Sequence, residues 1–122
     1  MLEIGNGGLT EEEEKSHFTL WAIQKAPLII GCDITIIKQS SLDILSNQDI
    51  IAVNQDPNSK PATCYLGCGS WDRFWRRPQV FATTLTGGDV VATIVNWRER
   101  IWSDFEFRVE DLGIIPTENQ VV

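Results

Sequence analysis

The spacing of apolar residues changes character twice along this chain, and each change marks a different kind of element. Leu2 and Ile4 flank Glu3 and run into Gly5-Asn6-Gly7-Gly8, which reads as the end of a strand followed by a glycine-rich loop. Thr10 followed by Glu13 forms a capping box, and Glu11 to Glu14 meet the positive end of the helix dipole. The acidic run therefore needs no ligand to explain it. Phe18, Trp21, Ala22 and Lys25 then recur at helical spacing, widened by Leu20 and Ile23, and Pro27 requires the helix to end by Ala26.

From Pro27 to Cys32 the rhythm becomes a short continuous apolar run bounded by Pro and Gly, the pattern of a parallel strand buried on both faces. Ser40 or Ser41 can cap a short helix through Leu42, Ile44 and Leu45, and Ser46 with Asp49 marks a second helix start before Ile50-Ile51-Ala52-Val53. Turn formers and prolines concentrate from Asn54 to Pro61, where a boundary is expected. Beyond it, Arg73 to Trp75, Val80 to Leu85, Val90 to Asn96 and Phe105 to Val109 read as strands, with Thr86-Gly87-Gly88-Asp89 as a hairpin turn. Phe105, Phe107 and Val109 alternate with Glu106, Arg108 and Glu110, so that last strand is expected to have one wet face.

The order predicts an α/β part followed by an all-β part: residues 1–56 as the last βα units of a (β/α)8 barrel and 57–122 as an incomplete antiparallel β-sandwich. A complete barrel takes roughly 250 residues, whereas this chain has 122. The expectation is therefore a fragment, whose apolar faces lack barrel neighbours and favour self-association.

Composition narrows the partners. With 43% hydrophobic residues, five Trp and five Phe, the chain carries ample material for a core. A net charge of −7 and a pI near 4.5 argue against a nucleic-acid partner and against an anionic membrane surface. No run approaches the roughly 20 apolar residues of a membrane span, and no secretion signal opens the chain as written. Of the three cysteines, Cys64 and Cys68 flank Tyr65-Leu66-Gly67 at a spacing where a local disulfide is geometrically possible, and the two are expected to pair, with a reduced pair as the alternative. Cys32, inside the apolar run, is expected as a free core thiol.

Residues with possible chemistry mostly have a plainer reading. Asp33 follows a candidate barrel strand at the end where barrels place chemistry, yet after Gly31-Cys32 a turn or cap role is preferred. His17, the sole histidine, has no metal or base partner in its vicinity of sequence. Trp71, Trp75, Trp97 and Trp102 could stack on sugar rings but more often fill a sandwich core. Gly7-Gly8 lacks the Lys-Ser/Thr spacing of a phosphate loop. No metal site and no cofactor is expected.

Met1-Leu2-Glu3-Ile4-Gly5-Asn6-Gly7-Gly8-Leu9-Thr10, Leu20-Trp21-Ala22-Ile23, Lys25-Ala26-Pro27-Leu28-Ile29-Ile30-Gly31-Cys32-Asp33, Ile44-Leu45-Ser46-Asn47 and Ile51-Ala52-Val53-Asn54-Gln55-Asp56 resemble the closing segments of the fungal and plant α-galactosidases of glycoside hydrolase family 27, the melibiases. Val90 to Trp97 and the Gly87-Gly88-Asp89 hairpin resemble the C-terminal β-sandwich of the same enzymes more loosely. The resemblance implies a parent enzyme, secreted, that removes terminal α-galactosyl residues from oligosaccharides and glycoconjugates with retention. Retention needs two carboxylates about 5 to 5.5 Å apart. The family's nucleophile lies in a Tyr-x-Lys-x-Asp motif, which does not occur here. Its acid/base lies in an Arg-x-x-x-Asp segment that precedes the Met-Leu pair, so Arg100 to Asp104, which follows it, is rejected as the equivalent. No catalytic residue is assigned, and Met1 is the one position that the resemblance transfers to the substrate pocket. The alternatives are a non-catalytic carbohydrate-binding β-sandwich module and an assembly subunit docking on a complete barrel.

Overall fold

The computed structural model describes residues 1–58, 60–69, 78–99 and 105–112. The chain divides into two compact units, Met1–Ser59 and Lys60–Val122. In the first, α1 spans Glu11–Ile23, α2 Gln39–Leu45 and α3 Gln48–Gln55. Leu2 and Ile30 form an isolated parallel bridge, in which the Leu2 N–H donates to the Ile29 carbonyl at 2.8 Å. Leu2, Ile4, Phe18, Ile44 and Leu45 make the buried core, with Trp21, Leu28, Cys32, Ile37, Ile50 and Ile51 packed against it.

The capping box forms as expected. Thr10 Oγ1 accepts from the Glu13 N–H at 3.3 Å, and Glu13 Oε2 accepts from the Thr10 N–H at 2.8 Å. The Thr10 N–H, and after it the Thr10 hydroxyl, which donates to the same Oε2 at 2.9 Å, hold the Glu13 carboxyl below its ordinary range. The far end of α1 is less ordinary. The Lys25 N–H donates to Ala22 O and the Ala26 N–H to Trp21 O, the paired bonds of a Schellman motif, with Lys25 at φ +57° where glycine is usual. Lys25 thus lies past the helix rather than on its last turn.

Lys25 Nζ donates to the carbonyls of Val53 and Asp56 at the end of α3, and Asn54 Nδ2 donates to the carbonyls of Ala22 and Ala26 at the end of α1. Each helix therefore supplies the side chain that satisfies the other's terminal carbonyls.

The two later helix starts differ from expectation. Ser41 is no cap: α2 begins at Gln39, and the Ser41 hydroxyl is buried and donates to Glu14. Asn47 rather than Ser46 caps α3, its Oδ1 accepting from the N–H groups of Asp49 and Ile50. The run at Leu28 to Cys32 makes one bridge and no longer strand, and Ile29 and Ile30 are 55% and 47% exposed instead of buried on both faces. The reason is that a parallel strand of this kind needs a neighbour on each side, and Leu2 is its one partner among the described residues.

In the second unit, β1 (Thr63–Leu66), β2 (Gln79–Thr84) and β3 (Val90–Val95) form an antiparallel sheet in the order β1-β2-β3. β2 and β3 pair from Gln79↔Val95 to Thr84↔Val90 around the expected hairpin, with Gly87 and Gly88 at φ +96° and +94°. Val80, Ala82 and Leu112 are its buried core, with Leu66, Val90, Phe105 and Phe107 against them.

β1 is not among the expected strands, although Thr63 and Tyr65 are strand formers. Cys64 is bonded to Cys68, with the two Cα atoms 5.9 Å apart, and Cys32 is free. The bridge closes a turn at Gly67, φ +72°, where a Cβ would stand 2.4 Å from the Pro78 carbonyl. Phe105 to Arg108 is no strand. Its apolar residues do face the core alternately, but the segment has no ladder and ends in a 3-10 turn, Val109–Leu112. Alternation reports which face a side chain takes, and a ladder additionally needs a free strand edge alongside. The strand expected at Arg73 to Trp75 lies outside the described residues.

Candidate functional site

The parallel bridge sets the geometry of a loop cluster with a chemical reading. Because Leu2 and Ile30 run in the same direction, Glu3 to Gly8 and Gly31 to Asp33 leave the pair at the same, carboxyl end. Gly31 is required for the approach, since a Cβ there would lie 2.6 Å from the Leu2 carbonyl and 3.4 Å from Met1 Cβ. Met1 therefore borders Gly31, and it is 73% exposed.

Helix α1 holds the loop from beneath. Glu14, 5% exposed, accepts from the Gly5 N–H through Oε1 at 2.9 Å and from the Ser41 hydroxyl through Oε2 at 2.7 Å. Both oxygens are thereby satisfied, as burial demands. Gly5 sits at φ +83°, and a Cβ on it would come within 2.9 Å of Ile37 and 3.1 Å of Cys32 Sγ. Three residues along α1, His17 Nε2 accepts from the Glu3 N–H at 3.2 Å. That bond leaves the imidazole proton on Nδ1.

The His17 ring lies against Trp21, centroids 4.5 Å apart. Its partial burial pushes the imidazole below its usual pKa, opposed by the Glu3 carboxylate. The Glu3 side chain accepts in turn from Asn6 Nδ2 at 2.8 Å. Past Asn6 the grip ends: a Cβ at Gly7 or Gly8 would meet open space.

Asp33 takes the turn role. Its Oδ1 accepts from the Thr35 hydroxyl at 2.7 Å and from the Thr35 N–H at 2.9 Å, and these bonds, the hydroxyl first, hold its carboxyl below the ordinary range. The bridge brings Met1 beside Gly31, while His17 and Glu14 serve the loop backbone. Trp97, half exposed, donates its indole N–H to Gln79 Oε1 at 2.8 Å. Trp71, Trp75, Trp102 and Asp104 lie outside the described residues, and no cluster of three His, Cys, Asp or Glu able to hold a metal occurs among the described residues. Sequence alone sets Glu14 with Glu11, Glu12 and Glu13 against the helix dipole and does not separate it from them. Its position four residues before Phe18, on the same face of the helix, is the signal that it faces inward.

Residues 1–56 match the family model described as alpha galactosidase A. Over 57 residues, 47% of this chain and 13% of the relative, the sequence is 63% identical to alpha-galactosidase 3 of Arabidopsis thaliana. It is 39% identical to an alpha-galactosidase of Zygotorulaspora mrakii over 113 residues, 83% of this chain and 22% of the relative. Among solved structures, the α-galactosidase of Saccharomyces cerevisiae with raffinose is similar at a TM-score of 0.63 and 39% identity, covering 78% of this chain and 22% of that one. The chain spans about a fifth or less of the length of the relatives it matches.

Proposed function

Because this chain corresponds to the C-terminal part of the α-galactosidases of glycoside hydrolase family 27, its residues 1–56 matching the family itself, we propose that it supplies the closing part of a retaining α-galactosidase. In this reading residues 1–56 complete a (β/α)8 catalytic barrel, and 57–122 belong to a C-terminal antiparallel β domain. The observation that carries it is the parallel Leu2–Ile30 bridge, whose carboxyl end bears the loop that α1 holds in place. Barrels of this class put substrate at the carboxyl ends of their strands.

Met1, exposed beside Gly31, then borders the galactosyl pocket. The two carboxylates that retention requires come from outside this chain, and the substrate is an α-galactoside oligosaccharide or glycoconjugate, the class to which the raffinose of the yeast structure belongs.

The test is a chimera in which this chain replaces the corresponding C-terminal part of the S. cerevisiae enzyme, assayed on a chromogenic α-galactoside beside the isolated 122-residue chain. Turnover by the chimera alone is the expected result. Turnover by the isolated chain would mean that the catalytic carboxylates lie within it, with Asp33 and Asp104 the first to replace.

A further inference from the structure

Glu14 is a buried acid whose hold on the loop backbone has a further consequence for the substrate. It is held on both oxygens, by the Gly5 N–H and by the Ser41 hydroxyl, and so joins the loop, α1 and α2 at one point. The loop has no slack there, because Gly5 passes within contact of Ile37 and Cys32. One turn along α1, His17 takes the Glu3 N–H, so the helix grips two alternate amides with Ile4 fully buried between them. Asn6 is still tied to Glu3, and beyond it the space around Gly7 and Gly8 is open. An acceptor at position 14 thus fixes the path of the loop at Gly5, ahead of its open end.

Resting on the function proposed above, we propose that Glu14 is a positioning residue: through Gly5 it sets the path of the Glu3–Gly8 loop against which the galactosyl group is held. It does not touch the substrate. Glu14→Ala leaves the Gly5 amide and the Ser41 hydroxyl without their acceptor, whereas Glu14→Gln can accept from one and donate to the other once the Ser41 hydroxyl turns.

Two measurements test this. In the 122-residue chain, amide hydrogen exchange at Gly5 is expected to quicken about tenfold or more in Glu14→Ala and to stay near the parent rate in Glu14→Gln. In the chimera, Glu14→Ala is expected to raise KM for the α-galactoside about tenfold with a smaller change in kcat, and Glu14→Gln to restore it. Unchanged exchange at Gly5 overturns the clamp. Faster exchange with KM unchanged, the activity loss following only the amount of folded enzyme, overturns the positioning role and leaves Glu14 structural. A parent chimera without turnover overturns the proposed function and this role with it, while the exchange data still report the clamp.

Discussion

His17 is the one side chain here whose charge changes near neutral pH by its ordinary chemistry, and its environment fixes the direction of the effect. It accepts a backbone N–H at Nε2, which only the neutral ring can do, and burial lowers its pKa below the usual 6.5. The unfolded chain therefore takes up the proton first as the pH falls. Stability from His17 is complete above about pH 6.5 and is lost as the pH drops through the lower folded value. The urea midpoint is expected to be lower at about pH 5.5 than at about pH 7.5, and that difference should shrink in His17→Gln. Equal pH dependence in parent and variant would show that the Glu3 contact contributes nothing. Asp33, by contrast, is turned into its own loop by Thr35 and stays charged throughout this range.

At the level of elements, the exchange of caps between α1 and α3 is the most economical feature of the first unit. Lys25 occupies a left-handed backbone conformation, which costs a residue with a Cβ roughly 1–2 kcal/mol, and its ammonium closes the carbonyl end of α3. The two effects separate by substitution. Lys25→Ala keeps the strain and loses the bonds, and is expected to destabilise by about 2 kcal/mol. Lys25→Gly loses the same bonds but relieves the strain, so it should be the milder change by about 1 kcal/mol. The order of the two, read from chemical denaturation, is the check; glycine being the worse would mean that the backbone at Lys25 is not strained.

For the whole molecule, the first unit presents Met1, Ile29, Ile30, Ile34 and Ile36 to solvent, the last two 64% and 80% exposed. Single exposed apolar residues are ordinary, but five in one unit, with Met1, Ile29 and Ile30 at the parallel bridge, favour association. The isolated chain is expected to sediment with a concentration-dependent size, and Ile30→Lys combined with Ile36→Lys to reduce it. A monodisperse, cooperatively melting monomer would count against the proposed barrel origin of residues 1–56.

What the amino-acid order determined on its own is everything decided within a few residues of the chain: the Thr10–Glu13 capping box, the end of α1 before Pro27, and the Gly87-Gly88 hairpin between β2 and β3. Their partners are close in sequence, so spacing and residue type suffice. The resemblance of Met1 to Asp56 was legible for a different reason, the number of identical residues in order.

Tertiary structure decided the rest. Whether Glu14 faces water or Gly5 depends on a loop nine residues earlier and a serine 27 residues later. Lys25 and Asn54 each reach carbonyls at the end of the other helix across about thirty residues of chain. Phe105 and Phe107 obey a strand's alternation yet pack without a ladder. Spacing favoured a bonded Cys64–Cys68 pair without excluding a reduced one; the fold of β1 into the Gly67 turn brings the two together. In each case the deciding partner is distant in sequence, and only packing determines which distant groups meet.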